Sequence, residues 1–212
     1  TDMQKLFEPD YGLNLQRLPI PVNPYEAVHC DVPNLSTSLY FVVNDMFYHD
    51  DKPKGSLPNG VIIGSLKDFP EQAARYYAKQ AKTSDDGITA LNTMLAQDGL
   101  FVYVPKNVKV DRAIQVINIL RSDVDLMVNR RVLIVLEEGA EIKMLFCDHA
   151  ADDRRFLTTQ VIEAYVGENA SLDLYCMEET HHNNVRISNV YTDQQANSRV
   201  NHNVITLHNG TT

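Results

Sequence analysis

Two stretches of the sequence, Glu138-Gly139-Ala140-Glu141-Ile142-Lys143-Met144 and Glu168-Asn169-Ala170-Ser171-Leu172-Asp173-Leu174, repeat one pattern 30 residues apart. Each places a turn residue before an alanine and then alternates polar and apolar positions, as in a β-strand that buries one face. Asn107 begins a weaker copy, and Gln195-Ala196 a further one. A turn that recurs about every 30 residues indicates a β-solenoid whose coils stack on one another. An up-and-down sandwich with a chance repeat is the alternative.

The chain changes character near residue 99. All nine prolines lie at or before Pro105, and a two-residue period replaces helical spacing from Leu100 onward. We therefore divide the chain into an N-terminal irregular and two-helix region, 1–98, and a partial β-helix core, 99–212. Core strands are predicted at 100–104, 114–120, 132–136, 142–147, 159–166, 172–177, 185–191 and 200–207.

Two helices are predicted ahead of the core, after an irregular segment, 1–66, in which prolines exclude long helices. Short extended pieces are expected there at 39–43 and 61–63. Both helices are assigned from an N-terminal cap followed by apolar residues at helical spacing. The assigning residues are Asp68, Pro70, Glu71, Phe69, Ala73, Tyr76 and Tyr77 in the first, and Thr83 or Ser84, Ile88, Leu91 and Leu95 in the second, which Asp98-Gly99 ends.

Composition excludes several classes of function. The 212 residues carry a net charge of −9, so no basic face is available for nucleic acid. Three cysteines, an odd number, do not make a secreted disulfide framework and favour a reducing compartment. Apolar runs of about five residues are too short for a membrane span or a signal peptide. We therefore expect an acidic cytoplasmic protein without nucleic-acid or membrane partners.

Three segments together resemble the SufB/SufD family, scaffold proteins of the SUF system of iron–sulfur cluster assembly. They are Asp98-Gly99-Leu100-Phe101-Val102-Tyr103-Val104-Pro105-Lys106-Asn107-Val108, Val132-Leu133-Ile134-Val135-Leu136-Glu137-Glu138-Gly139-Ala140-Glu141 and Val166-Gly167-Glu168-Asn169-Ala170-Ser171-Leu172. Phe69-Pro70-Glu71 leading into a helix is similar to the approach to the core in SufD-type chains. The resemblance covers roughly residues 60–212. It implies a right-handed parallel β-helix and so favours the solenoid over the sandwich.

The resemblance also implies a function. A SufD-like chain is a non-catalytic scaffold that pairs with a SufB-like paralogue and docks a SufC-like ABC-type ATPase through a C-terminal helical region. SufD is favoured over SufB because the extra cysteine motifs usual in SufB-like chains are not seen. A second copy of the chain is a further candidate partner. The sequence assigns no role to residues 1–60.

The family continues beyond Thr212, and the chain ends just after a predicted strand with no amphipathic cap, so we expect a fragment. The cluster-related positions of the family lie in the continuing part. No catalytic, cofactor-binding or metal-binding residue is therefore assigned, and no cofactor is expected on this fragment. The iron–sulfur cluster is handled by the full complex.

Some residues present have the right chemistry for a metal site but the wrong spacing. No Cys-x-x-Cys or His-x-His occurs, and the repeat aligns Phe146 with Cys176, which places Cys147 on the opposite face of its strand. Cys176 is expected to be a small buried hydrophobic residue. The residues considered, for which a structural role is favoured over metal binding, are Cys147, His149, Cys176, His181, His182, His202 and His208.

An enzymatic alternative stays open at this point. Carboxylates on a β-helix can serve as acid and base in polysaccharide cleavage, and Glu178, Glu179 and Asp148 are the candidates. Few aromatic residues (8%, with no Trp) are available to stack sugars. Phosphate-binding glycine motifs are absent from the sequence, so ATP dependence would come from a partner.

Overall fold

The computed structural model describes residues 3–16, 18, 20–27, 36–50, 57–83, 85–207 and 210–212. The described helices are α1 (Met3–Leu6), α2 (Pro24–Ala27), α3 (Pro70–Ala73) and α4 (Gly87–Leu95), with 3-10 turns at Leu66–Asp68 and Ala81–Thr83. The first strands are β1 (Ser38–Val43), β2 (Met46–Phe47), β3 (Ile62–Ser65), β4 (Leu100–Val104) and β5 (Ile114–Leu120). The remaining strands are β6 (Leu126–Leu136), β7 (Glu141–Ala150), β8 (Phe156–Val166), β9 (Ser171–Glu179), β10 (Asn184–Gln194) and β11 (Arg199–Thr206).

From β4 onward successive strands alternate between two sheets and make a parallel β-solenoid of about four turns. One sheet has the order β11-β9-β7-β5-β1-β2 and the other β10-β8-β6-β4-β3. All neighbours are parallel except β1 with β2 and β3 with β4. The register pairs Glu141 with Ser171 and Ser171 with Arg199, so one repeat of the sequence corresponds to one coil of the solenoid. The solenoid prediction is confirmed.

At one corner of each coil, the backbone turns through a single residue in the left-handed conformation. Asn107, Gly139, Asn169 and Asn197 have φ of 59°, 67°, 59° and 57° and stack along the solenoid. The Gly139 amide donates to the Glu168 carbonyl at 2.8 Å, which ties one corner to the next. Asn and Gly tolerate this conformation best. The last corner lies at Asn197, so the match of Gln195-Ala196 to the turn position was wrong.

Apolar side chains fill the space between the sheets at the end near these corners. The interior cluster runs from Tyr40 and Val42 of β1 to Leu174 and Cys176 of β9. Phe41, Ile117 and Cys147 point the other way, into a separate cluster on the outer face of their sheet. Alternate residues of these strands therefore contribute to two apolar layers, one between the sheets and one on the outer face.

Most core strands are longer than their apolar runs. The strands at 100–104 and 114–120 were predicted with the correct ends, but β6 begins at Leu126, six residues before the predicted start at 132. Its first half includes Asn129, Arg130 and Arg131, which are buried although they are polar. A pattern of apolar residues cannot predict that such polar residues belong to a buried strand.

The predicted helices need correction. The first ends at Ala73, and its N-cap is Phe69 rather than Asp68. The second is capped by Asp86, whose carboxylate accepts from the amides of Ile88 and Thr89, rather than by Thr83 or Ser84. Its buried residues are Thr89 and Asn92, not the predicted apolar stripe. The Asn92 amide donates to the carbonyls of Arg130 and Thr159, so this helix contacts the sheet through hydrogen bonds.

The N-terminal half contributes directly to the solenoid. Strand β1 pairs in parallel with β5 over its whole length, and the amide of Gly12 donates to the Asp125 carbonyl. Strand β3 pairs with β4. The division at residue 98 stays a prediction.

Candidate functional site

A column of polar side chains runs through the interior at the end opposite the corners. Asn118, Asp148, Glu178 and Thr206 occupy successive strands β5, β7, β9 and β11 in direct register. Asn118, Asp148 and Glu178 are buried interior neighbours because they share the parity of the buried apolar residues on their strands, whereas Thr206 at the end of the column is exposed. The solenoid thus stacks two carboxylates on adjacent coils.

Two arginines from the facing sheet meet this column. Arg130 of β6 donates through Nη1 to Asp148 and through Nε to the Asn44 carbonyl at 2.9 Å. Arg186 of β10 places Nη1 3.1 Å from Asp148 Oδ2 and also beside Glu178. We call Arg130, Asp148, Glu178 and Arg186 the interior ion network. All four are at most 9% exposed, and their charges balance.

The electrostatics of the network favour an ionised Asp148. Burial raises the pKa of Asp148, but the Arg186 and Arg130 guanidiniums and a hydrogen bond from Asn118 outweigh it and hold the pKa below its ordinary value. A carboxylate in this state is paired and shielded from water. It is a poor general acid, which would need a raised pKa and access to substrate.

A second buried ion pair lies on the outer face of the other sheet. Arg131 donates through Nη2 to Glu163 at 2.5 Å, and both side chains are 0% exposed. The Glu163 carboxylate also accepts from the backbone amides of Ala78, Gln80 and Ala81 at 2.8, 3.0 and 3.0 Å. These amides bond Glu163 rather than helical carbonyls, and Ala78 has φ 59°, so no α-helix continues through Ala78. Glu163 therefore anchors the segment after α3 to the solenoid.

The last coil contains a cavity of about 330 Å³ between β10 and β11, which we call the open-end cavity. Met3 and Leu6 of α1 line it together with interior side chains of the coil. Cys176 Sγ lies 3.7 Å from His202 Nε2 in this cavity. Burial raises the pKa of Cys176 to about 11, and burial followed by Arg186 lowers that of His202.

The other cysteine and histidine candidates do not converge on this cavity. Phe146 pairs with Cys176, which confirms that Cys147 faces the opposite way, and Cys147 is fully buried in the outer cluster. His149 Nδ1 lies 3.9 Å from Glu179 on that outer face. His181 Nε2 lies 2.5 Å from the Asp152 carbonyl, and its Nδ1 accepts from the Asn183 amide.

Within the described part of the chain, no group of three His, Cys, Asp or Glu residues could hold a metal ion. His182 is exposed, with its ring centroid 6.1 Å from that of His181. His208 lies outside the described residues. The absence of a metal site on this chain stays a prediction.

The carboxylates of the enzymatic alternative separate into two groups. Asp148 and Glu178 do come together, but inside the interior ion network. Glu179 lies on the opposite face of β9, as the alternation of a strand requires. The structure thus brings two of the three candidates into contact and ties them to arginines.

Sequence reasoning missed both arginines of the interior ion network, Arg130 and Arg186, and the Arg131–Glu163 pair. A signal was available, because Glu163 interrupts the apolar run Val161-Ile162-Glu163-Ala164 of a strand predicted to be buried. Charged residues are almost never fully buried unless they are paired. A charge inside a core strand therefore predicts a partner, although not which partner.

Two family models together cover almost the whole chain. The model described as "SufBD protein N-terminal region" matches residues 1–116, and "SUF system FeS cluster assembly, SufBD core domain" matches residues 118–212. The chain belongs to the SufBD family. The resemblance inferred from the sequence motifs is confirmed at this level, and it extends to the N-terminal residues that the motifs left out.

Curated relatives of this SufBD chain carry matching names. An iron–sulfur cluster assembly SufBD family protein of Arabidopsis thaliana is 29% identical over 119 residues, which are 54% of this chain and 25% of the relative. A chloroplastic SufBD family protein of the same plant is 30% identical over 122 residues, 54% of this chain and 21% of the relative. One from Staphylococcus epidermidis is 30% identical over 132 residues, 60% of this chain and 28% of the relative. The matched part spans about a quarter of these relatives.

None of the helices in the described ranges is long and apolar enough to cross a membrane.

Proposed function

We propose that this SufBD chain is a SufD-like, non-catalytic scaffold subunit of a SUF iron–sulfur cluster assembly complex in the cytoplasm. It would pair with a SufB-like paralogue through its β-helix and act with a SufC-like ABC-type ATPase. Family membership supports a role in cluster assembly. The iron–sulfur cluster is the cargo of the complex rather than a resident cofactor of this chain.

The observation that supports the scaffold role is the parallel β-solenoid itself, which the SufBD core-domain model matches over residues 118–212. Sheets of this kind can add a strand from a partner at an edge. We therefore place the pairing with the paralogue on the sheets of the solenoid.

The polysaccharide-cleaving alternative is weaker. Its best pair of carboxylates, Asp148 and Glu178, is buried and paired with arginines. A glycosidase needs two accessible carboxyl groups that flank the scissile bond. The scaffold proposal expects no glycan turnover, and measured turnover that disappears in Glu178→Gln would support the enzyme instead.

Affinity purification of the full-length product from its native cells tests the scaffold. We expect an ABC-type ATPase and a second β-solenoid protein to copurify under gentle salt and anaerobic handling. Recovery of the protein alone, or only as a homodimer, would contradict the proposed complex.

A further inference from the structure

A small void lies beside the interior ion network, distinct from the open-end cavity. It measures about 10 Å³ and lies between the two sheets. Arg130 of β6, Thr158 of β8, and Asn184 and Arg186 of β10 line it, together with Asp148 and Glu178 of the facing sheet. A volume of about 10–15 Å³ is what one water molecule requires.

Four polar atoms of the residues around this void make no hydrogen bond within the described part of the chain. Arg186 Nη1 lies within ion-pair distance of Asp148 and Glu178, which leaves Arg130 Nη2, Arg186 Nε and Asn184 Oδ1 without a partner among the described residues. Their side chains are only 2%, 9% and 4% exposed. A buried polar atom without a partner costs about 1–3 kcal/mol, and more for a charged group. Such atoms are rare in native proteins and need a partner of their own.

The unpartnered atoms are complementary to one ligand. Arg130 Nη2 and Arg186 Nε are donors, and Asn184 Oδ1 is an acceptor. A water molecule accepts two hydrogen bonds and donates two, so it can satisfy all three atoms at once. We propose that the void is a binding site for a single structural water that bridges β6 and β10 through these atoms.

The charge around the void argues for a neutral ligand. The two guanidiniums are already balanced by the carboxylates of Asp148 and Glu178, which line the same space. An anion would lie against both carboxylates in a low-dielectric interior, where repulsion is strong. A cation would face unpartnered guanidinium donors. Water has neither penalty, and it completes the hydrogen bonding of the ion network between coils.

Crystallography of the full-length protein, with one crystal soaked in sodium bromide, tests the site. We expect a solvent peak within hydrogen-bonding distance of Arg130 Nη2, Arg186 Nε and Asn184 Oδ1, and no anomalous signal from bromide there. A bromide peak at this position would identify an anion site and overturn the proposal. Side chains that fill the void, with no solvent peak there, would also overturn the proposal.

Asn184→Leu and Asn183→Leu form a matched pair. The first removes the acceptor and adds apolar volume at the void, and the second changes the neighbouring residue, whose amide donates outward to the Asp153 carbonyl. We expect the solvent peak to vanish in Asn184→Leu and to persist in Asn183→Leu. A peak retained in Asn184→Leu with unchanged distances to both arginines would show that the acceptor plays no part. If Asn184→Leu does not fold, the electron-density maps of the unaltered protein, with and without bromide, decide between water and an anion.

Discussion

Glu178 lies directly beside Asp148 on the neighbouring strand, in register, and the single guanidinium of Arg186 is within ion-pair distance of both. Two like charges would repel each other on adjacent coils of a dry interior. The shared arginine makes the arrangement stable, so coil stacking in this half of the solenoid depends on these charges as well as on the apolar cluster of Leu120, Leu126, Val128 and Phe156.

Replacing the shared cation should therefore destabilise the protein strongly. We expect Arg186→Met to lower the free energy of unfolding by about 3–5 kcal/mol, because it leaves two buried carboxylates with one arginine. Arg199→Met is the control, since Arg199 is exposed and contacts only the Ser171 hydroxyl across the strand pair. Urea unfolding of both variants measures the difference. A loss no larger than that of the control would contradict the role of Arg186.

Stability should fall with acid in a way that depends on Asp148. Its pKa is lowered in the folded state, so its contribution is fully present above the unfolded value of about 4 and is lost as the pH falls below it. We expect the urea midpoint of the unaltered protein to drop between about pH 5 and pH 3, and that of Asp148→Asn to start lower but change less. Asp111→Asn, at an exposed carboxylate, should keep the original slope. Parallel slopes for all three proteins would contradict the prediction.

The anchor at Glu163 should control the segment after α3. Glu163→Gln keeps the shape of the side chain but removes the charge that pairs with Arg131 and strengthens three amide bonds. We expect a loss of about 2–4 kcal/mol and faster proteolysis within residues 74–83. Glu168→Gln, at an exposed residue, is the control. Unchanged cleavage of this segment in Glu163→Gln would show that other contacts hold it.

The corner residues should differ in how strongly they respond to small changes. Gly139 has φ 67°, and a Cβ added there would clash with Asn107 Oδ1. We expect Gly139→Ala to cost about 1–3 kcal/mol through strain and this contact. Asn169→Gly, at the equivalent corner, should change stability by less than about 1 kcal/mol because glycine accepts the same backbone angles. Thermal unfolding compares the two, and an equal loss would mean that backbone conformation does not limit the corners.

The sequence predicted the parts of this protein that local chemistry decides. Left-handed corners need Asn or Gly, and buried strands need alternating apolar residues, so the repeat in residues 138–174 was enough to indicate a solenoid with its correct spacing. The faces of Cys147 and Cys176 followed from the same alternation. The family resemblance came from the same corners and strands.

The interior ion network could not be predicted in this way. Arg130 and Asp148 lie on opposite sheets, and Arg186 meets Asp148 only because two coils stack. The Ala78 amide also donates to Glu163, which lies 85 residues later in the chain. Local propensity carries no information about such partners, because their distance is set by the coil height and by the gap between the sheets. The sequence by itself determined the repeating coil; only the tertiary structure decided which buried charges meet, since a charge is tolerated inside only where packing brings its counter-charge.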